Sequence, residues 1–282
     1  MQVREIEVKS ILNRSKLRSD GYTINPYVGC QHACVYCYAC FMKRLTNHAE
    51  PWGEFADAKI NAVEMFEKRF PRVKDGEGAF IGSATDAYQP LEIKYELTRG
   101  ILKKIVDAGS ASFFPKKFSV SILTKSDIVL RDIDLLKRIP DIEVGFSISM
   151  PNEKARRRFE PRATPIKQRF EALKTLRQEG IATFAFIAPI LPGITDLPTI
   201  FTALEGKVGY VLGEGLNTRC GNMTRILQAV SSYDQNLKPF FEQALKNRNY
   251  WKGVKENFRS LAEKHGIDIA GIFFHLEKGG PE

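Results

Sequence analysis

Four of the five cysteines in this 282-residue chain lie between positions 30 and 40, and their spacing constrains the fold more than any other feature. Cys30, Cys34 and Cys37 follow the pattern C-x3-C-x2-C, and Cys40 comes next. Three thiolates on one short loop can bind a metal centre without other ligands, and soft thiolates favour iron–sulfur clusters, zinc or Cu(I). In a [4Fe–4S] cluster each iron takes one thiolate, so three thiolates would leave one iron open to an outside ligand.

Cys40 leaves a second interpretation open. With Cys40 as a fourth ligand, the same stretch would form a closed zinc or iron–sulfur site on a binding protein that is not an enzyme. A disulfide framework is a weaker interpretation, because five is an odd number, the chain is long, and its first residues lack the apolar segment of a signal peptide.

Composition indicates a globular cytoplasmic protein. Hydrophobic residues make up 43 % of the chain, which is normal for a packed core. No apolar run is long enough for a transmembrane helix, so we expect no contact with a membrane. In the cytoplasm thiols stay reduced and a cluster can be assembled. The net charge of +9 favours anionic partners, nucleic acid among them.

Short apolar segments alternate with helical patterns six times along the chain. Strands are predicted at 22–28, 78–83, 118–126, 142–149, 181–187 and 208–212, and helices at 55–70, 91–106, 133–139, 165–179 and 197–204. Short apolar strands are typical of a parallel sheet covered on both faces. The pattern predicts an α/β fold, a partial (β/α)6 TIM-like barrel over residues 1–213. A mainly helical extension, 214–282, would pack on the same domain, and 268–274 has the pattern of a late strand.

Polar and small residues follow the predicted strands. Because the carboxyl ends of parallel strands meet at one edge, we expect these side chains to line a common mouth. Hydroxyls, a lysine and a carboxylate there suit a ligand with ribose hydroxyls, an adenine and an amino-acid end. The candidates are Ser83, Thr85, Asp86, Lys125, Ser147 and Ser149.

The cysteine segment and several downstream segments resemble the spore photoproduct lyase family of the radical S-adenosylmethionine (SAM) superfamily. The resemblance rests on NPYVGC at 25–30 and CVYCYA at 34–39. It continues in family order with TDAYQPLE at 85–92, TKS at 124–126, SIS at 147–149, EPR at 160–162 with Arg169, and PILPGITD at 189–196.

This resemblance implies the radical SAM type of partial barrel and a radical SAM enzyme. A [4Fe–4S] cluster on Cys30, Cys34 and Cys37 would bind SAM, and an electron from the cluster would release a 5′-deoxyadenosyl radical that abstracts hydrogen. An electron donor such as flavodoxin or ferredoxin is implied as a partner.

The resemblance also implies roles for individual residues. Tyr36 and Tyr38 match tyrosines linked to radical propagation and are predicted to be catalytic. Arg169, or alternatively Arg162, is predicted to meet the carboxylate of SAM. The other predicted SAM-binding residues are the six strand-end residues named above. Structural roles stay open, since Asp86 can cap a helix and Lys125 can be a solvated loop lysine.

The substrate does not follow from the family, because one fold hosts many substrates. Members that split the spore thymine dimer return a hydrogen atom from a cysteine near the end of the second strand, but here residues 80–85 contain no thiol. Cys220 is more readily explained as a small buried residue. Lyase-type DNA repair therefore remains an expectation of the resemblance alone. A damaged or modifiable nucleic acid is the leading hypothesis, and a peptide or small metabolite is the alternative.

Overall fold

The computed structural model describes residues 1–15, 21–110, 117–150 and 152–275. Its strands are β1 (Gln2–Ile6), β2 (Asn13–Ser15), β3 (Gly21–Ile24), β4 (Tyr27–Gly29), β5 (Phe55–Lys59), β6 (Gly78–Ile81), β7 (Ser119–Thr124), β8 (Ile142–Ser147), β9 (Ala182–Ile190), β10 (Tyr210–Gly215) and β11 (Asp268–Phe273). Its α-helices are α1 (Ala62–Arg69), α2 (Leu91–Tyr95), α3 (Leu97–Ser110), α4 (Ile133–Leu136), α5 (Glu153–Phe159), α6 (Ile166–Gln178), α7 (Leu197–Leu204), α8 (Met223–Tyr233), α9 (Leu237–Lys246) and α10 (Arg248–Lys264). Short 3-10 helices cover Tyr38–Leu45, Phe70–Arg72 and Asp127–Asp132.

The larger sheet has eight strands in the order β11-β10-β9-β8-β7-β6-β3-β2. From β3 to β11 all neighbours are parallel, and β2 pairs antiparallel with β3 at one edge. This confirms the predicted α/β fold with a partial parallel barrel. The late strand β11 adds a seventh parallel strand to the six that were predicted, because it pairs along the outer edge of β10.

The predicted first strand, 22–28, is divided between two sheets. β3 belongs to the larger sheet, whereas β4 pairs antiparallel with β5, which in turn pairs parallel with β1. The break falls at Asn25 and Pro26, and a proline has no N–H to donate to a continuing ladder. The chain that leads to the cysteines therefore rests on a separate three-stranded sheet.

The helix predicted over 55–70 is correct only in its second half. Residues 55–59 form the central strand β5 of the smaller sheet, and helix α1 follows it. Hydrogen bonds from a strand on each side outweigh the local preference of this short segment. The helix predicted over 91–106 is likewise divided into α2 and α3, at Glu96, whose φ is +48°.

Two apolar clusters matter for the site. The main core lies between the larger sheet and its helices and includes the fully buried Phe146 and Phe201. A second cluster joins Cys34 and Tyr36 to Ile226 of α8 and Phe241 of α9. Burial of one such side chain stabilises the fold by about 1.5–3 kcal/mol. The C-terminal helices therefore pack directly behind the cysteines, while a boundary at 213 remains a prediction.

No helix in the described part of the chain combines the length and the apolar character needed to cross a bilayer.

Candidate active site

Residues 30–37, the cysteine loop, connect β4 to the 3-10 helix Tyr38–Leu45. Two turn hydrogen bonds shape the loop: Ala33 N–H donates to the Cys30 carbonyl at 3.4 Å, and Cys37 N–H donates to the Cys34 carbonyl at 3.2 Å. All three cysteines are free thiols, with Cys34 buried and the other two half-buried. The structure thus places the three predicted ligands on one short loop.

The last residue of β4, just before the loop, is a glycine that no other residue can replace without movement of its neighbours. Gly29 has φ +81°, and a Cβ added there would lie 2.5 Å from the carbonyl oxygen of Phe55. Glycine alone adopts this conformation without steric cost. The close approach of β5 therefore determines where the cysteine loop leaves the smaller sheet.

The chemistry of the loop fits an iron–sulfur cluster. Burial raises the pKa of Cys30 to about 12, and burial also raises the pKa of Cys34, although the nearby Lys125 ammonium opposes it. Such thiols lose their protons when they bind a metal, because the thiolate is the ligand. Across the described ranges, no three His, Cys, Asp or Glu side chains are gathered tightly enough to share one metal ion; in a cluster each thiolate binds a different iron.

Two glutamines and a threonine hold the start of the loop. Gln31 N–H donates to Gln89 Oε1 at 2.8 Å, and Gln31 Oε1 accepts from the Leu91 N–H at 2.6 Å. Gln89 Nε2 donates to Thr85 Oγ1 at 3.0 Å, and the Thr85 hydroxyl donates to the carbonyl of Gly29. Thr85, which was predicted to bind SAM, thus supports the start of the loop through its hydrogen bond to Gly29. Neither glutamine was singled out from the sequence, although Gln89 lies inside a family-like segment.

Asp86 joins the cysteine loop to the end of β7. Its carboxylate accepts the Thr124 hydroxyl and the Lys125 N–H, each at 2.7 Å. His32 Nε2 lies 3.0 Å from Asp86 Oδ2, an ion-pair distance without the alignment of a hydrogen bond. Burial alone would raise the pKa of Asp86, but His32, Thr124 and Lys125 lower it to about 2.

A buried acid–base network lies behind Tyr36. Its hydroxyl donates to Glu160, and Glu160 forms an ion pair with Arg169 in which both side chains have no exposed surface. Arg169 also donates to the carbonyl of Thr164 at 2.8 Å and to that of Ser147 at 3.0 Å. Each guanidinium nitrogen therefore already donates within the protein. A guanidinium carries five N–H groups, so these three bonds leave two for a further acceptor, and contact between Arg169 and SAM stays a prediction.

Lys125 supplies a positive charge beside the loop. Its Nζ lies 5.9 Å from the centroid of the Tyr36 ring. Burial alone would lower the pKa of Lys125, but the neighbouring Cys34 and Glu160 raise it. Lys125 thus lies beside Tyr36 and near the two groups, Cys34 and Glu160, that favour its charged form.

Tyr38 and Ser83 meet at the mouth of the barrel. The Tyr38 hydroxyl donates to the backbone carbonyl of Ser83, which follows β6. Ser83 Oγ accepts from Asn25 Nδ2 at 2.9 Å, so this residue is tied to the break between the two sheets. Tyr38 is 48 % exposed and thus reaches solvent, unlike Tyr36.

Ser147 and Ser149 occupy different environments. Ser147 is buried, and its carbonyl accepts from Arg169. Ser149 is also buried; its hydroxyl donates to the Ala188 carbonyl, and its own carbonyl accepts from Thr195 Oγ1 at 3.0 Å. The described hydrogen bonds of Ser149 thus join the end of β8 to β9 and to the segment that follows β9.

The sulfur of Cys40 is engaged on the C-terminal side of the molecule. It donates to the backbone carbonyl of Cys220 at 3.0 Å. Asn222, close by, donates through Nδ2 to the carbonyls of Val35 at 3.2 Å and Cys37 at 3.1 Å. Sequence reasoning missed Asn222, because its only local signal is a position just before the apolar pattern of α8.

Comparisons with known proteins agree with this geometry. The sequence pattern that defines the Radical SAM superfamily matches residues 24–200. An uncharacterized protein of Methanocaldococcus jannaschii is 32 % identical over 275 residues, which is 98 % of each chain. A radical SAM Nalpha-GlyT isomerase of Pseudomonas phage M6 is 24 % identical over 190 residues, 66 % of this chain and 37 % of that protein.

Among solved structures, a spore photoproduct lyase complexed with dinucleoside spore photoproduct is similar, with a TM-score of 0.67 and 17 % sequence identity. The similarity covers 97 % of this chain and 82 % of that one. At this level of identity the likeness establishes a shared fold alone.

Proposed function

The chain belongs to the radical SAM superfamily and is an enzyme of that class, and on this basis we propose that Cys30, Cys34 and Cys37 hold a [4Fe–4S] cluster at which SAM binds. When bound, these groups supply a 5′-deoxyadenosyl radical that removes a hydrogen atom from the substrate. The observation that carries the proposal is the gathering of three thiols on one loop whose backbone is hydrogen-bonded by distant parts of the chain.

The surrounding side chains have separate tasks in this proposal. Thr85 and Asp86 hold the cysteine loop in place, and Lys125 sets a positive charge beside Cys34. Tyr36, held by Glu160, is the buried tyrosine next to the ligands, and Tyr38 is the exposed one at the mouth. We assign Ser83, Ser147, Ser149 and Arg169 to the SAM side of the site as proposals that follow from the family resemblance.

Anaerobic reconstitution tests the cofactor assignment. We expect about four irons per chain and formation of 5′-deoxyadenosine when dithionite and SAM are added. Cys34→Ala should abolish this product, whereas Cys40→Ala should leave it. Cleavage of SAM by Cys34→Ala, or one zinc per chain in protein purified without oxygen, would contradict the assignment. Superfamily members need an electron donor, and we propose flavodoxin or ferredoxin in place of dithionite.

We further propose that the substrate is a nucleic acid. The net charge is +9. Three residues per turn place Tyr38, Phe41 and Arg44 in one row of the 3-10 helix. Phe41 is 40 % exposed, and the Arg44 guanidinium carbon lies 5.5 Å from its ring centroid. Aromatic rings beside arginine are the surfaces on which unpaired bases stack.

The solved structure with a dinucleoside photoproduct supports this substrate class and not a particular lesion. Residues 80–85 contain no thiol, so the proposal does not extend to repair of the spore thymine dimer.

Oligonucleotide binding separates this proposal from a peptide or small-metabolite substrate. A labelled single-stranded oligonucleotide should bind at low salt and dissociate as salt rises, because binding releases counterions from phosphates. Phe41→Ala should weaken binding by about 1–3 kcal/mol, the contribution of one stacked base. Phe240→Ala is the matched control, since Phe240 is 45 % exposed on α9. Absence of binding to DNA and RNA at low salt would favour the alternative substrates.

A further inference from the structure

Residues 220–225, which we call the clamp, contact the cysteine loop and its flanks from the C-terminal part of the chain. Asn222 donates to two loop carbonyls, those of Val35 and Cys37. The Cys220 carbonyl accepts from the thiol of Cys40. Arg225 Nη1 donates to the carbonyl of Trp52 at 3.2 Å. The clamp lies outside the residues that match the superfamily pattern, which end at 200.

The Asn222 side chain does not do what its position predicts. It stands at the N-cap of α8, where the side-chain oxygen of an asparagine usually accepts an amide of the first turn. Here it makes no capping hydrogen bond. Its nitrogen donates to the two loop carbonyls. Its oxygen is buried without a hydrogen-bond partner among the described residues. The side chain is therefore committed to the cysteine loop and not to its own helix.

Cys40 follows Cys37, the last of the three predicted ligands, by three positions. The Cys40 N–H donates to the Cys37 carbonyl at 3.4 Å, so the two residues lie within one backbone turn. Nearness to Cys37 also contributes to the raised pKa of Cys40, after burial. In the structure the Cys40 sulfur donates a hydrogen bond to the Cys220 carbonyl, and this bond directs it toward the C-terminal part of the chain.

We propose that the clamp keeps Cys40 from becoming a fourth ligand, so that the metal centre is held by three thiolates and retains an open iron. Asn222 is the positioning residue: it fixes the carbonyls on either side of Tyr36 and, through Gly221, the Cys220 carbonyl that engages Cys40. This inference rests on the proposed function, because only an open iron gives the exclusion of Cys40 a purpose.

The test compares anaerobically reconstituted wild type, Asn222→Asp, and Asn222→Asp combined with Cys40→Ser. An aspartate at 222 turns a carboxylate toward the two carbonyls in place of the donor. The readouts are iron per chain and the electron paramagnetic resonance spectrum of the reduced cluster with and without SAM. Asn247→Asp is the matched control, since Asn247 caps α10 in the usual way by accepting from Asn249 and Tyr250.

Wild type and the Asn247 variant should both show a spectrum that shifts when SAM is added. Asn222→Asp should retain iron but lose most of the shift, and the added Cys40→Ser should restore it. A full shift in Asn222→Asp, or a loss that Cys40→Ser does not restore, overturns the proposal. A wild type that shows no shift instead overturns the proposed function.

Gly221→Ala provides a second route if Asn222→Asp does not fold. Gly221 has φ +75° and open space around the position of a Cβ. An alanine would strain the backbone between Cys220 and Asn222 without striking a neighbour. The same loss of the SAM-dependent shift, and the same restoration by Cys40→Ser, are expected, and their absence overturns the proposal.

Discussion

The phenolic hydroxyl of Tyr36 donates a hydrogen bond to a carboxylate oxygen of Glu160, a residue 124 positions further along the chain, and both residues are buried. The bond fixes the middle of the cysteine loop to the end of α5. The cation of Arg169 on the far side of Glu160 keeps that carboxylate charged. Although burial alone would raise the pKa of Glu160, Arg169 and Lys125 lower it.

Removal of the Tyr36 hydroxyl should destabilise the protein. Tyr36→Phe keeps the ring but leaves a buried carboxylate with one donor fewer, and we expect the free energy of unfolding to fall by about 1–3 kcal/mol. Urea unfolding measures the change. Tyr95→Phe is the control, because the Tyr95 hydroxyl donates to Glu5 at 2.8 Å at an exposed position. Equal effects of the two substitutions would contradict a buried role for Tyr36.

Loss of the Arg169 cation should lower the free energy of unfolding more than loss of the Tyr36 hydroxyl does. Arg169→Met leaves the Glu160 charge buried without its ion-pair partner, which typically destabilises a protein by about 3–5 kcal/mol. Lys137→Met breaks an ion pair whose side chains are 51 % and 41 % exposed, and it should cost at most about 1 kcal/mol. Addition of Glu160→Gln to Arg169→Met should recover part of the loss. If it deepened the loss instead, charge burial would not be the cause.

Gly29→Ala should displace the cysteine loop. The φ values of Gly29 and Gly76 are +81° and +80°, but only at Gly29 would a Cβ collide with a backbone oxygen. The left-handed conformation alone costs an alanine about 1–2 kcal/mol, and Gly76→Ala should show that cost. Gly29→Ala should be clearly less stable and should bind less iron after reconstitution. Identical unfolding and iron content in the two variants would contradict the role of the close approach.

Lys59 should make stability depend on pH. Burial lowers its pKa from 10.5 to about 8, and its ammonium donates to the Asn25 carbonyl at 2.7 Å. Between these two pKa values the unfolded chain holds the proton more tightly, so this residue makes the free energy of unfolding rise as pH rises from about 8 toward 10.5. Below pH 8 its effect is constant.

Urea unfolding of wild type and Lys59→Met between pH 7 and 10.5 measures this contribution. The variant should lack the extra rise in stability. Lys68→Met should keep it, since Lys68 is 65 % exposed on α1. The same pH profile in Lys59→Met and wild type would contradict the assignment.

Local sequence signals were sufficient for much of the barrel. Helix 197–204 was predicted with the bounds that α7 has. In the structure the Asp196 carboxylate accepts the Thr199 N–H at 3.1 Å and caps this helix. The strands at 78–83 and 142–149 were found because turn residues bound short apolar runs. In such segments local preference and tertiary packing agree.

Errors arose where distant pairing decides the structure. Residues 55–59 form a strand only because β1 and β4 lie on either side of it. The break after Ile24 reflects the same smaller sheet, since β4 joins it in place of β3. A single local window contains neither partner.

For the site, the sequence motifs identified the three cysteines and the segments around them. The structure places these segments at one end of the sheet. The internal engagement of Asp86 and Arg169 could not be predicted, because it depends on distances between side chains far apart in the chain. Asn222 was missed for the same reason: its two acceptors lie 185 and 187 residues earlier.

The clamp is synthesised after the four neighbouring cysteines, which matters while the chain is still on the ribosome. Cys40 leaves the ribosome 180 residues before Cys220, so for that interval nothing from the clamp restrains the thiol of Cys40. A nascent chain that captured metal during this time would have four neighbouring sulfurs to offer. Delivery of iron and sulfide after the chain is released would therefore favour the three-sulfur form.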